Sequence, residues 1–282
     1  EMGALKGPQL KIGHDHKLAA YIEDKIINHK YSPEAVLLEI GEQGLQFSVT
    51  ISKTTLYRYI DEGFLNVSND NLVCGKRPQK PKGKGEPRIS YKDPMKESIE
   101  NRPSQIDERE EFGHWEMDTV YSKKGDGSTC LLVLTERKTR DEIGVKMKAR
   151  TAEAVVQAMD SIERKFERLH KGSFPQVFKT ITVDNGSEFS DVFGIQRSCY
   201  KRTKGPRTKV YYCHPYSSYE RGSNENQNKL IRRFIPKGAK ISDYTHEEID
   251  RIIYWMNHYP RRIFGGKSSN YLFEQELEKI IA

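Results

Sequence analysis

Three acidic side chains carry the chemistry this sequence offers. Asp184 closes the apolar run Ile181-Thr182-Val183 and is followed by Asn185-Gly186, the mark of a buried strand ending in a tight turn. Glu225 falls in the first turn of a helical pattern that begins near Asn224, and Asp118 lies inside GHWEMDTV, an alternation of polar and apolar residues. A strand end and a helix start can both bring a carboxylate to one edge of a sheet. Carboxylates gathered there repel one another, and cations relieve the repulsion. Oxygen ligands with no Cys or His beside them suit magnesium or manganese. Two such ions about 3.5–4 Å apart activate a water or hydroxyl on one side of a phosphodiester and stabilise the leaving oxygen on the other. The set therefore points to two divalent cations, Mg2+ or Mn2+, and to nuclease or strand-transfer chemistry. The plainer alternative is three unrelated solvated acids.

Other carboxylates lie close by in sequence. Glu116 shares a strand face with Asp118, opposite Trp115 and Met117, and Glu188 stands four residues past Asp184; both are accessory candidates. Glu220 competes with Glu225 for the third place. Helical spacing favours Glu225, because Glu225, Asn228 or Lys229, and Arg232 form one polar face while Leu230, Ile231 and Phe234 form an apolar one. Glu220 sits in a Ser/Tyr/Arg/Gly loop that holds a ligand less firmly.

The strings GHWEMD, TVDNGSEF, HPYSSYERGSNENQNKLIRRFIPKG and MNHYPRRIFGG resemble the insertion-sequence-thirty family of bacterial transposases, within the DDE transposase and retroviral-integrase superfamily. The resemblance spans residues 15–275. It implies a ribonuclease-H-like catalytic core, two divalent ions, and cutting and joining of transposon ends, with the catalytic and metal-binding acids falling on Asp118, Asp184 and Glu225. The forty residues between Asp184 and Glu225 exceed the family spacing and imply an insertion near 196–209. Double-stranded DNA, as terminal inverted repeats and as target, is the implied partner. A homodimer or higher multimer is expected, since two ends are processed together. The family also implies a further helix-turn-helix ahead of the stretch present here. Two rival readings are a catalytically idle DNA-binding repressor descended from a transposase and a metal-dependent nuclease of the same fold.

Charge agrees with a polyanionic partner. The chain has a net charge of +7, and its basic residues are clustered: 197–209 holds six with no acid, and 229–240 five with none. Candidate DNA contacts are Lys76, Arg77, Lys80, Lys82 and Lys84 in a Pro/Gly-containing stretch, and Arg202, Lys204, Arg207 and Lys209 in the inserted loop. Tyr219, Arg221, Asn228, Lys229 and Arg232, around the helix bearing Glu225, complete the set on that side. The four cysteines show no zinc spacing and read as reduced thiols. With no apolar run of membrane-spanning length and no signal peptide, the expected place is the bacterial cytoplasm, at the nucleoid.

Several elements must position these groups. The spacing predicts a helix over 16–30, a second from Pro33 with Ser32 as cap, and a third from Ser52. Together they form a small all-α helix-turn-helix domain over 15–68, with Lys53, Thr54, Tyr57 and Arg58 on the recognition helix. Residues 1–14 read as disordered or as left over from recombinant expression, and 69–108 as a basic linker. The catalytic domain, 109–282, is expected to be α/β, a mixed sheet flanked by helices. Strands are expected over 114–122, 129–135, 140–148 and 178–184, with a short one before the loop that leads to Glu225. A long helix capped by Thr151 carries the stripe Val155, Met159, Ile162, Phe166 and Leu169, and a final helix opens on a Thr245/Glu248 capping box.

Overall fold

The computed structural model describes residues 10–13, 15–72, 95–121, 129–201, 205–214, 217, 220 and 222–282, with Glu225 as backbone only. Most of the tail read over 1–14 and of the linker read over 69–108 lies outside the described residues. Two compact units result. The first joins the amino-terminal helices to Tyr259–Ser268, and the second contains the sheet and Ser269–Ala282.

The first unit contains α1 (His16–Ile27), α2 (Pro33–Glu42) and α3 (Lys53–Asp61). A side-chain oxygen opens each: Asp15 accepts from Leu18 N, Ser32 from Ala35 N and Ser52 from Thr55 N. Each such cap contributes roughly 1 kcal/mol. Leu18, Ile22, Ile26, Val36, Leu56 and Tyr59 turn inward and are buried. Helix α1 stops short of the expected residue 30, where Lys30 adopts a left-handed φ of 56°. The segment Tyr259–Ser268, expected with the catalytic domain, joins this unit. Its Tyr259 hydroxyl lies 2.9 Å from Ser32 Oγ, and its ring meets Tyr31 edge-on at 5.2 Å.

The second unit is built on β1 (His114–Tyr121), β2 (Cys130–Glu136), β3 (Glu142–Met147), β4 (Thr180–Val183) and β5 (Lys209–Tyr212). Their order is β3-β2-β1-β4-β5, antiparallel from β3 to β1 and parallel from β1 to β5. The short helix α4 (Gln105–Glu108) precedes β1, and α5 (Ala152–Leu169) with α6 (Phe174–Val177) makes the crossover to β4. After β4 come α7 (Val192–Gln196), α8 (Gly222–Ile231), α9 (His246–His258) and α10 (Ser269–Ile281). This is the expected ribonuclease-H-like mixed sheet flanked by helices.

Strand alternation divides the core. Trp115, Met117, Cys130, Leu132 and Leu134 face the side covered by α5 and α10, with Val155, Met159 and Phe273. Val120, Leu131 and Val133 face the side of α8 and α9, with Ile231, Ile249, Ile252 and Met256. Trp115 is fully buried, stacks on Phe178 at 4.7 Å and donates its ring N–H to Val177 O at 2.7 Å. The stripe expected on α5 holds except at Leu169, which is 70% exposed on the helix's last residue. The Thr245/Glu248 capping box is present, with reciprocal bonds of 2.7 and 3.1 Å.

Candidate active site

Strand β1 is buried from His114 to Val120 except at Asp118, where solvent reaches the side chain. The parallel ladder pairs His114 with Thr180, Trp115 with Ile181 and Glu116 with Thr182. Continued by two residues, that register sets Asp118 beside Asp184, the first residue past β4. Neighbouring strands run about 4.8 Å apart, so two acids distant in sequence share one sheet end. Gly186 N donates to Asp184 Oδ1 at 2.8 Å, and Asn185 Nδ2 ties the turn to Cys213 O at 2.7 Å. Asp118 Oδ1 accepts from Thr119 N at 2.8 Å.

Helix α8 is fixed to the same strand. Asn224 N donates to Glu116 Oε2 at 3.0 Å and, one turn on, Asn228 Nδ2 donates to Asp118 Oδ2 at 3.0 Å. Glu225 belongs to this helix, between the two asparagines; its side chain lies outside the described residues. Glu116 is fully buried, and its other oxygen accepts from Arg137 at 2.8 Å. Arg137 also reaches Asp107 at 3.1 Å, and Arg102 joins Asp107 to Thr182 Oγ1. Glu116 thus acts on the site by holding α8. At the start of the helix, Arg140 donates to Ser223 Oγ at 2.9 Å. Burial, and then Arg109 beside it, pushes the Arg140 guanidinium down to about 10.

Glu220 is occupied elsewhere. Its carboxylate accepts from His214 N at 2.9 Å and lies 2.7 Å from His214 Nδ1, while Glu100 lies 3.1 Å from Nε2. Those hydrogen bonds, Glu220 first, hold His214 above the usual imidazole range. Glu188 is buried, and its Oε1 accepts from Thr119 Oγ1 at 2.8 Å and from Arg150 at 2.7 and 2.6 Å.

The donor set near Asp118 and Asp184 is oxygen only, as magnesium or manganese prefers. A Cβ at Gly186 would fall 2.5 Å from Glu188 Oε2 and 2.9 Å from Asp184 Oδ1, so glycine lets two carboxylate oxygens approach the same point, as a shared cation would require. Among the described residues, the three metal-ligand side chains whose donor atoms all come within 4.8 Å of one another are Asp160, Glu163 and Cys199, a set that includes neither Asp118 nor Asp184. There the Arg207 guanidinium already stands 2.7 Å from Asp160 and 2.9 Å from Glu163, taking the place a cation would need.

Residues 108–218 match the family described as Integrase core domain. A probable transposase for the insertion-like sequence element IS1161 of Streptococcus salivarius is 37% identical over 80% of this chain, which spans 60% of that protein's length. The transposase for insertion sequence element IS4351 of Bacteroides fragilis is 31% identical over 89% of this chain and 71% of its own length. This chain belongs to the bacterial insertion-sequence transposases of the DDE and integrase superfamily. Transposase InsI for IS30A of Escherichia coli K12 is 32% identical over 63% of the chain and 42% of its own length. The catalytic core domain of BIV integrase, 17% identical, aligns over 60% of this chain and 99% of its own with a TM-score of 0.43.

Within this chain the expected DNA contacts fall into three groups. Lys53, Thr54 and Arg58 are exposed on α3 and Tyr57 is half-buried, with Lys53 2.8 Å from Glu34. Near the catalytic side, Lys209 pairs with Glu97 at 2.9 Å, Lys229 lies 3.2 Å from Asn226 Oδ1, and Arg232 donates to Tyr121 O at 3.0 Å. Lys76, Arg77, Lys80, Lys82, Lys84, Arg202, Lys204, Tyr219 and Arg221 lie outside the described residues.

Arg207 is a correction. Expected on the DNA side, it is fully buried and also donates to Ile195 O and Gly194 O. With four of its five N–H donors engaged by two carboxylates and two carbonyls, and no surface open to solvent, this guanidinium is not placed to meet a phosphate. Sequence reasoning also passed over Arg150, Arg137 and Asn224. No spacing marks them, because each meets its partner only through the sheet.

Proposed function

We propose that this chain is a DNA transposase that binds transposon terminal repeats, cleaves a phosphodiester at the element's end to expose a 3′-hydroxyl, and joins that hydroxyl to target DNA. The observation that carries this reading is the β1–β4 register, which sets Asp118 beside Asp184 beneath the helix that bears Glu225. In this reading Asp118 and Asp184 hold the divalent ions and Glu225 completes the set. When bound, two such ions supply an activated oxygen nucleophile and stabilise the leaving oxygen. Asn228 orients the Asp118 carboxylate, Glu116 and Arg137 keep α8 in place, and the Asn185-Gly186 turn aims Asp184. Helix α3 reads the repeat through Lys53, Thr54, Tyr57 and Arg58, while Lys209, Lys229 and Arg232 approach the phosphate backbone. Two or more copies act together on paired ends, in the bacterial cytoplasm at the nucleoid.

The test is cleavage of labelled end DNA with Mg2+, followed by strand transfer into supercoiled target. Asp118→Asn, Asp184→Asn and Glu225→Gln should each lose on the order of a thousandfold in rate, about 4 kcal/mol in barrier, with end binding retained in a mobility-shift assay. Undiminished cleavage by any one of them removes that residue from the set. Cleavage without joined product makes the chain a nuclease.

A further inference from the structure

Glu188 distributes its contacts unevenly. All three of its donors, Thr119 Oγ1 and two nitrogens of Arg150, converge on Oε1. Its Oε2 is buried and has no hydrogen-bond partner among the described residues. A glutamate paired with arginine frequently shares both oxygens with the guanidinium fork, which Glu188 does not do. A bare buried carboxylate oxygen is destabilising, and a cation beside it removes that penalty.

The bare oxygen also has a direction. It borders the space over Gly186, and Asp184 Oδ1 borders the same space. Gly186 has φ −56°, an ordinary backbone conformation, so nothing in the backbone demands glycine here. What glycine supplies is the absence of a Cβ between two carboxylates. Like charges facing each other across so small a gap call for a positive group between them. Arg150 is committed to the far oxygen, and Thr119, its companion donor, sits beside Asp118 on β1.

We infer that Glu188 is a positioning carboxylate of the divalent-metal site: Arg150 and Thr119 clamp one oxygen so that the other faces Asp184 and helps hold the ion there. This rests on the proposed metal chemistry and adds a residue to it. Supporting carboxylates of this kind typically contribute roughly 10–100-fold to metal affinity.

The test is Mn2+ binding to the full chain, read as the loss of free Mn2+ signal in electron paramagnetic resonance, with circular dichroism melts alongside. Glu188→Gln keeps the shape of the side chain and should weaken Mn2+ binding by about tenfold or more. Gly186→Ala retains the Glu188 carboxylate but sets a Cβ 2.5 Å from its Oε2, which must displace that oxygen from the gap, and should weaken binding at least as much. Asp184→Asn is the reference for loss of the site. Glu188→Gln that melts lower yet binds Mn2+ like the wild type makes Glu188 a purely structural partner of Arg150 and overturns this inference alone. Should Glu188→Gln fail to fold, wild-type affinity in Gly186→Ala overturns it equally. A wild-type chain that binds no Mn2+ overturns the two-metal reading as well.

Discussion

Replacing Glu116 with alanine removes the carboxylate that fastens the first turn of α8 to β1. Arg137, only 3% exposed in its side chain, then keeps a single acidic partner, Asp107, which is 63% exposed. Asn224 N, also buried, loses its acceptor. Breaking one side of a buried ion pair lowers stability by about 3–5 kcal/mol; the surviving Asp107 contact places the loss near the lower end, about 3 kcal/mol. At roughly 2–4 °C per kcal/mol for a domain of this size, melting should fall by about 6–12 °C. Scanning calorimetry measures it. A Glu116→Leu/Arg137→Met double variant should recover much of the loss, because no charge is then left buried and unpaired. Mn2+ binding at Asp118 and Asp184 should persist in Glu116→Ala while cleavage drops, since the helix bearing Glu225 has lost its anchor. A loss under about 1 kcal/mol, or a double variant no better than the single one, would refute the claim that this pair holds α8.

Arg207→Ala should destabilise the chain by about 3–5 kcal/mol, by leaving Asp160 and Glu163 facing each other, with no change in the salt dependence of DNA binding. Lys53→Ala and Arg58→Ala should each weaken end-DNA affinity and reduce the slope of log affinity against log salt by about one if they contact phosphate. The clasp of His214 between Glu220 and Glu100 should depend on pH. Its folded value lies above the unfolded reference of 6.5, so its contribution is complete below that pH and is lost as pH rises through the raised value. An NMR titration of His214 should show a midpoint above 6.5, returning toward 6.5 in Glu220→Gln.

Local pattern made much of this molecule readable. The alternation around Trp115 announced β1 and its two faces, and the caps at Ser32, Ser52 and Thr151 marked where helices begin, because these signals depend on neighbours a few residues away. The ladder that sets Asp118 opposite Asp184 depends on a crossover helix and leaves no local trace. Arg207 was misread for the same reason. In a run of basic residues it looks solvated, and its two acids lie on α5, more than forty positions earlier. Glu188 was noticed for its closeness to Asp184, whereas Arg150, the group that defines its geometry, is 38 residues away.

The path of residues 259–268 bears on how the polypeptide acquires its shape. Helices α1 to α3 are synthesised well before residue 259, yet the hydroxyl that meets Ser32 and the ring that meets Tyr31 belong to Tyr259. On the ribosome those helices emerge long before that partner exists, so their unit must wait until residues 259–268 have been made before its contacts are complete. A nascent chain stalled before residue 259 should therefore show α1 to α3 more open to protease than the finished protein.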